Sequence, residues 1–212
     1  VFSYGFSQPL DNALDNCTAL TYIKFGRMFN HSLGSSLVVC TALTHIIFGD
    51  GFNHPLGSSL DNCTSLLYIN FGNRFSQPLR DFLDNCPSLI HIGLGYWFNQ
   101  KLELPSNIKS LSLNSNTENL TDYLPDSIEE LKLGPNFNLE LDNCPSSIKK
   151  ITFDKNSKYN KELNCLPRQL EVLQLPKNYD QQVHSIPQAL KKLICFKYYP
   201  YQKDYIGIEV ET

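Results

Sequence analysis

The chain has 212 residues, 42% of them hydrophobic, with a formal charge of −3 and a pI of about 5.9. That balance offers no broad attraction to nucleic acid or anionic lipid, and no apolar run approaches the ~20 residues needed to span a bilayer. A cytoplasmic protein with neither nucleic acid nor membrane as partner is expected.

The chain begins inside a repeat, because Phe2, Gly5, Phe6 and Leu10 match Phe25, Met28, Phe29 and Leu33 while the strand before them is missing. Residues 1–13 therefore read as the remnant of an upstream coil, and a longer parent chain is expected. From residue 14 to 102 a phrase built on Cys17, Cys40, Cys63 and Cys86 returns every 23 residues. A fixed period of this length marks a solenoid, whose units bury their apolar faces only against neighbours. From 103 to 195 the phrase changes, and the coils turn through Leu104-Pro105, Leu124-Pro125, Cys144-Pro145, Leu166-Pro167 and Ile186-Pro187. Proline lacks a backbone donor and fixes its own φ, which suits the corner before a strand. Residues 196–212 break the pattern and read as a cap, so a single solenoid over 1–195 is expected.

Three apolar columns run through these coils. The first is Leu20, Leu43, Leu66, Leu89, Ile108, Ile128, Ile148, Leu170 and Leu190. Three residues on come Ile23, Ile46, Ile69, Ile92, Leu111, Leu131, Ile151, Leu173 and Leu193, and two further Phe25, Phe48, Phe71, Leu94, Leu113, Leu133, Phe153, Leu175 and Cys195. The spacing of two is strand alternation, with the second and third columns inward. Nine rungs of roughly 4.8 Å predict a parallel sheet about 43 Å long. A fourth column, Phe6, Phe29, Phe52, Phe75, Phe98, Phe137, Tyr159 and Tyr179, is followed by short polar residues such as Asn30, Asn53 and Ser76. Stacked rings fill the interior, and the polar residues satisfy backbone groups in the turns. The expected fold is a curved, right-handed leucine-rich-repeat-like solenoid of about nine coils. Its parallel sheet lies on the concave face, with turns, short strands or short 3-10 segments on the convex side.

The segments Phe52-Asn53-His54-Pro55-Leu56, Phe6-Ser7-Gln8-Pro9-Leu10 and Phe75-Ser76-Gln77-Pro78-Leu79, with strands such as Leu131-Lys132-Leu133-Gly134, resemble the FNIP repeat over about residues 1–195. This leucine-rich-repeat relative is abundant in social amoebae and in giant viruses that infect amoebae, which would place a viral copy in the host cytoplasm. The resemblance implies an interaction module, sometimes following an F-box; no F-box is visible in this sequence.

Strand residues between the inward columns point out of the sheet. One outward column reads Tyr22, His45, Tyr68, His91, Ser110, Glu130, Lys150, Val172, Lys192, and the other Lys24, Ile47, Asn70, Gly93, Ser112, Lys132, Thr152, Gln174, Ile194. Aromatic and His side chains are favoured at interface centres, although aromatic residues also simply suit a half-exposed strand. Tyr22, Lys24, His45, Tyr68, Asn70, His91, Glu130, Lys132, Lys150 and Lys192 are the candidate partner-binding residues. The first hundred residues hold only four Lys or Arg and six Asp, so their surface is poor in charge. A non-enzymatic module that binds a protein is expected; the alternative is a structural scaffold of a viral or cellular assembly, self-associating through its open N-terminal edge.

No cofactor, metal site or catalytic residue is expected. His45 and His91 stand two rungs apart, about 9.6 Å, too far to share one zinc readily. Asp61, Asp84 and Asp142 recur at corners as turn formers. The seven cysteines read as buried, reduced thiols at repeat positions, with no paired Cys-x-x-Cys spacing. Of the sequons at Asn16, Asn30, Asn62 and Asn119, Asn16 and Asn62 share with Asn85 and Asn143 the repeated corner before Cys, so repetition rather than glycosylation is the expected explanation.

Overall fold

The computed structural model describes residues 1–114 and 124–212, so the Asn119 sequon lies outside the described residues. Ten short strands occur there: β1 (Tyr22–Lys24), β2 (His45–Ile47), β3 (Tyr68–Asn70), β4 (His91–Leu94), β5 (Ser110–Leu113), β6 (Glu130–Leu133), β7 (Lys150–Phe153), β8 (Val172–Gln174), β9 (Lys192–Ile194) and β10 (Glu209–Glu211). Helical structure amounts to a one-turn helix at Arg80–Leu83 and 3-10 turns at Gly57–Leu60 and Gln202–Asp204. The residues form two compact units, Val1–Ile108 and Lys109–Thr212. Within each, strands pair in parallel and in chain order: β1 to β4 in the first unit, β5 to β10 in the second.

The register follows the repeat. Ile23, Ile46, Ile69 and Ile92 lie opposite one another in the first unit, as do Leu111, Leu131, Ile151, Leu173 and Leu193 in the second. All are buried, because strand alternation turns this column inward. The 23-residue coils are three residues longer than the 20-residue ones, and the surplus takes helical turns. Leu33 and Leu37, Leu56 and Leu60, and Leu79 and Leu83 are all buried, at the four-residue spacing that puts both side chains on one face of a helical turn. The later coils carry one such residue, Leu141, Leu163 or Val183, before their next corner.

Rings stack where the third and fourth columns predict. In the first unit Phe25–Phe48 and Phe48–Phe71 centroids are 5.1 and 5.3 Å apart, within 5° of parallel. Deeper in the coil, Phe29–Phe52, Phe52–Phe75 and Phe75–Phe98 are 6.1, 6.1 and 6.4 Å apart. Since strands sit about 4.8 Å apart, the coils of this unit fan out away from the sheet, which puts the sheet on the inner side of the bend. The second unit continues the fourth column with Phe137, Tyr159, Tyr179 and then Tyr199, which the repeat pattern did not include.

Polar residues lock one coil to the next. The backbone N–H of Asn53 donates to Asn30 Oδ1 (2.9 Å), that of Ser76 to Asn53 Oδ1 (2.9 Å) and that of Asp180 to Asn160 Oδ1 (3.1 Å). The polar residues after the fourth column thus serve the backbone of the following coil. His31 and His54 donate from Nε2 to the carbonyls of Ser7 (3.0 Å) and Asn30 (3.1 Å), one coil back. Asp61 accepts from Asn85 Nδ2 across the corner (2.7 Å). At the far end of the second unit, Tyr199 Oη donates to the Gln181 carbonyl (2.9 Å) and therefore accepts from Tyr205 Oη (2.8 Å), which itself takes the Val183 N–H (3.3 Å).

All seven cysteines are free thiols, yet they are not uniformly buried. Cys40, Cys63, Cys86 and Cys195 are buried, Cys17 and Cys144 are intermediate, and Cys165 is exposed. The expectation of seven buried thiols is therefore met only in part at Cys17 and Cys144 and fails at Cys165, where Leu166 fills the apolar slot before Pro167 and leaves Cys165 outside the repeat position. Burial raises the Cys63 pKa to about 12 and that of Cys86 to about 11. Since the thiolate is the nucleophile, a disulfide reagent at pH 8 should label Cys165 first and leave Cys40, Cys63 and Cys86 protected until the chain unfolds. Mass mapping of the labelled peptides checks this; early modification of Cys63 would contradict it.

Candidate functional site

The outward faces of the two units differ in chemistry. In the first, Tyr22, His45, Tyr68 and His91 lie directly opposite one another across β1 to β4. Their rings form a continuous stack: Tyr22–His45 at 6.3 Å, His45–Tyr68 at 5.5 Å, and Tyr68–His91 at 4.2 Å with planes 3° apart. Parallel in-register strands impose this, because like positions meet at the rung spacing. Thr44 Oγ1 donates to the Thr21 carbonyl (2.8 Å), so its contact with His45 Nδ1 (2.9 Å) has the ring nitrogen as donor, which fixes the imidazole's tautomer and orientation. Asn70 Nδ2 donates to Tyr68 Oη (3.4 Å). Tyr22 and Lys24 are exposed, and His45, Tyr68 and Asn70 half-buried. His91 is only 5% exposed, so this member of the candidate set offers little surface.

One step before the ring column runs another: Thr21, Thr44, Leu67 and Ile90. Leu67 is 38% exposed and Ile90 46%. The rings and these two aliphatic residues make an apolar surface that the inward-facing repeat does not explain. Beyond β4 the loop carries Tyr96 against Trp97, the chain's one tryptophan, in an edge-to-face pair at 5.2 Å.

In the second unit the corresponding columns are rich in charges that pair with one another. The column that begins Thr21, Thr44, Leu67 and Ile90 in the first unit here reads Lys109, Glu129, Lys149, Glu171, Lys191, alternating in sign at every rung. Glu129 pairs with Lys149 (2.9 Å) and Lys109 (3.7 Å), and Glu171 with Lys191 (3.0 Å). The Lys149 ammonium, by hydrogen bond first and charge second, holds the Glu129 carboxyl below its usual range. On the next column Glu130 meets Lys150 (3.1 Å), Lys132 (3.3 Å) and Ser110 Oγ (3.1 Å). Burial works to raise the Glu130 carboxyl's pKa, and the two lysines overcome it to leave the group more acidic than an ordinary glutamate. Lys192 bridges Glu209 (3.1 Å) and Glu211 of β10. The candidate residues Glu130, Lys132, Lys150 and Lys192 thus already satisfy one another's charge or that of β10.

Short parallel strands in register, inward leucine, isoleucine and phenylalanine columns, and sparse helix define a leucine-rich-repeat-like solenoid. The chain is an FNIP- and leucine-rich-repeat-like repeat protein, and the FNIP repeat family matches residues 116–156. The crystal structure of CroV588, a circular LRR protein, superposes with a TM-score of 0.65 at 32% identity; the similarity covers 84% of this chain and 27% of that one. The internalin InlF of Listeria monocytogenes has the same fold, with a TM-score of 0.58 at 16% identity over 92% of this chain and 59% of that one. No curated protein matches the sequence. Among the described residues no helix is long and apolar enough to cross a membrane.

Proposed function

We propose that the protein is a non-enzymatic interaction module whose first unit binds a protein partner on the outward face of its sheet. The observation that carries this reading is the contrast between corresponding columns. Where the second unit sets charges that neutralise each other, the first sets Leu67, Ile90 and Tyr22, all exposed, beside the half-buried rings of His45 and Tyr68. Exposed contiguous apolar surface on a repeat protein marks a docking site. The stacked rings are already ordered, so binding costs little side-chain entropy.

Within the first unit β2 and β3 are paired on both edges, so recognition over them comes from side chains. Selection of a displayed random-peptide library against the wild-type protein should yield binders that lose affinity for Ile90→Glu and keep it for Lys149→Ala. Binders indifferent to Ile90→Glu, with both variants melting like wild type, would refute the reading. A structural scaffold, the second reading, predicts concentration-dependent self-association that Ile90→Glu leaves untouched.

A further inference from the structure

The partner's chemistry can be read from which parts of the stacked rings remain free. Tyr68 has His91 against one face at 4.2 Å and His45 towards the other at 5.5 Å. His45 in turn lies between Tyr68 and Tyr22. An aromatic ring is electron-rich on its face and electron-poor at its edge. Recognition of a lysine or arginine requires the face, and the interior of this stack has no face to give. What it turns to a partner is ring edge. The phenol hydroxyl of Tyr68 accepts from Asn70 and keeps its own hydrogen to donate.

The charged group on this face has the same sign. Lys24, at the end of the second outward column, is exposed and forms no ion pair among the described residues, in contrast to Lys132, Lys149, Lys150, Lys191 and Lys192 of the second unit. The other members of that column are Ile47, Asn70 and Gly93, so no carboxylate stands on either outward column of the first unit. Ring edges, a phenol donor and an unopposed ammonium all favour electron-rich groups, while Leu67 and Ile90 ask for aliphatic side chains.

From this we infer that the first unit's face takes an acidic, aliphatic-rich peptide segment, with carboxylates toward Lys24 and the tyrosine hydroxyls and apolar side chains over Leu67 and Ile90. The inference rests on the proposed docking role of this face and adds the partner's class to it. Because the unit as a whole is not basic, the preference is local, and rising salt should weaken the charged part of binding while leaving the apolar part.

Two fluorescently labelled peptides test it by anisotropy, one alternating Glu and Leu, the other alternating Lys and Leu. The Glu-Leu peptide should bind wild type at least tenfold more tightly than the Lys-Leu peptide. Lys24→Glu should erase or invert that preference, and Ile90→Glu should abolish binding of both. Equal binding of the two peptides, preference for the Lys-Leu peptide, or no binding of either overturns the inference. In the first two cases sensitivity to Ile90→Glu would leave the docking role standing with a different partner class. Binding of the Glu-Leu peptide that ignores both substitutions would sink the inference and count against the docking role as well.

Discussion

Gly72→Ala should destabilise the first unit by at least about 3 kcal/mol, the upper range for forcing extra atoms into a packed interior. Gly26, Gly49, Gly72 and Gly95 follow the third apolar column at 23-residue steps. A Cβ on Gly72 would overlap the carbonyl of Gly49 and the Cα of Asp50, which are backbone and have no rotamer to yield. Gly49 stands in the same relation to Gly26, and Gly95 to Gly72. The glycines are there because successive coils touch backbone to backbone at this corner. A methyl group at one rung must therefore push two coils apart and strain the adjoining β2–β3 pairing. Gly5→Ala is the control, since nothing lies within 4 Å of a Cβ there. Urea unfolding followed by Trp97 fluorescence should show a large loss of midpoint for Gly72→Ala and little change for Gly5→Ala. Equal midpoints for the two would mean that the coils are not in contact as described.

The repeat made the columns legible because parallel stacking converts equal sequence positions into neighbours. The residue pairs opposite one another in β1 to β4 and in β5 to β9 are those the spacing indicates. β10 escaped notice for a physical reason. Val210 pairs with Leu193, but the positions matching the first and third columns hold Gly207 and Thr212, so two of three apolar markers are absent. Gly207, at a φ of 84°, turns the chain into this strand. Burial was legible in the interior and less so on the sheet's outer surface, where it depends on what covers each residue. His91 belongs to the outward column by alternation and is nonetheless buried. Leu67 and Ile90 went unremarked because they fall between the columns that define the repeat. The alternation Lys109, Glu129, Lys149, Glu171, Lys191 was available at the same positions and would have pointed to them by contrast.

Phe52→Ala should cost about 3–5 kcal/mol, the range for deleting a fully buried ring. Phe52 is completely buried and stacks on Phe48 at 4.1 Å while lying 6.1 Å from both Phe29 and Phe75, so it ties the two aromatic columns and three coils together. Because solenoid stability is carried by nearest-neighbour interfaces, removing one ring weakens two of them. Phe52→Leu keeps most of the volume and should cost roughly 1 kcal/mol. The second unit tests whether packing or polar satisfaction dominates in the same column. Tyr179 and Tyr199 each donate to a carbonyl one coil back, at 3.0 and 2.9 Å. Tyr159 buries its hydroxyl without a hydrogen-bond partner among the described residues. A buried polar group left unmatched carries its desolvation cost uncompensated. Tyr159→Phe should therefore be neutral or stabilising by about 1 kcal/mol, whereas Tyr199→Phe should destabilise by a similar amount, since it removes the donor to the Gln181 carbonyl and the acceptor of the Tyr205 hydroxyl. Chemical denaturation of the four variants reads all of these directly. If Tyr159→Phe proves as damaging as Tyr199→Phe, the Tyr159 hydroxyl has a partner and every tyrosine from Tyr159 to Tyr199 in this column is polar-locked.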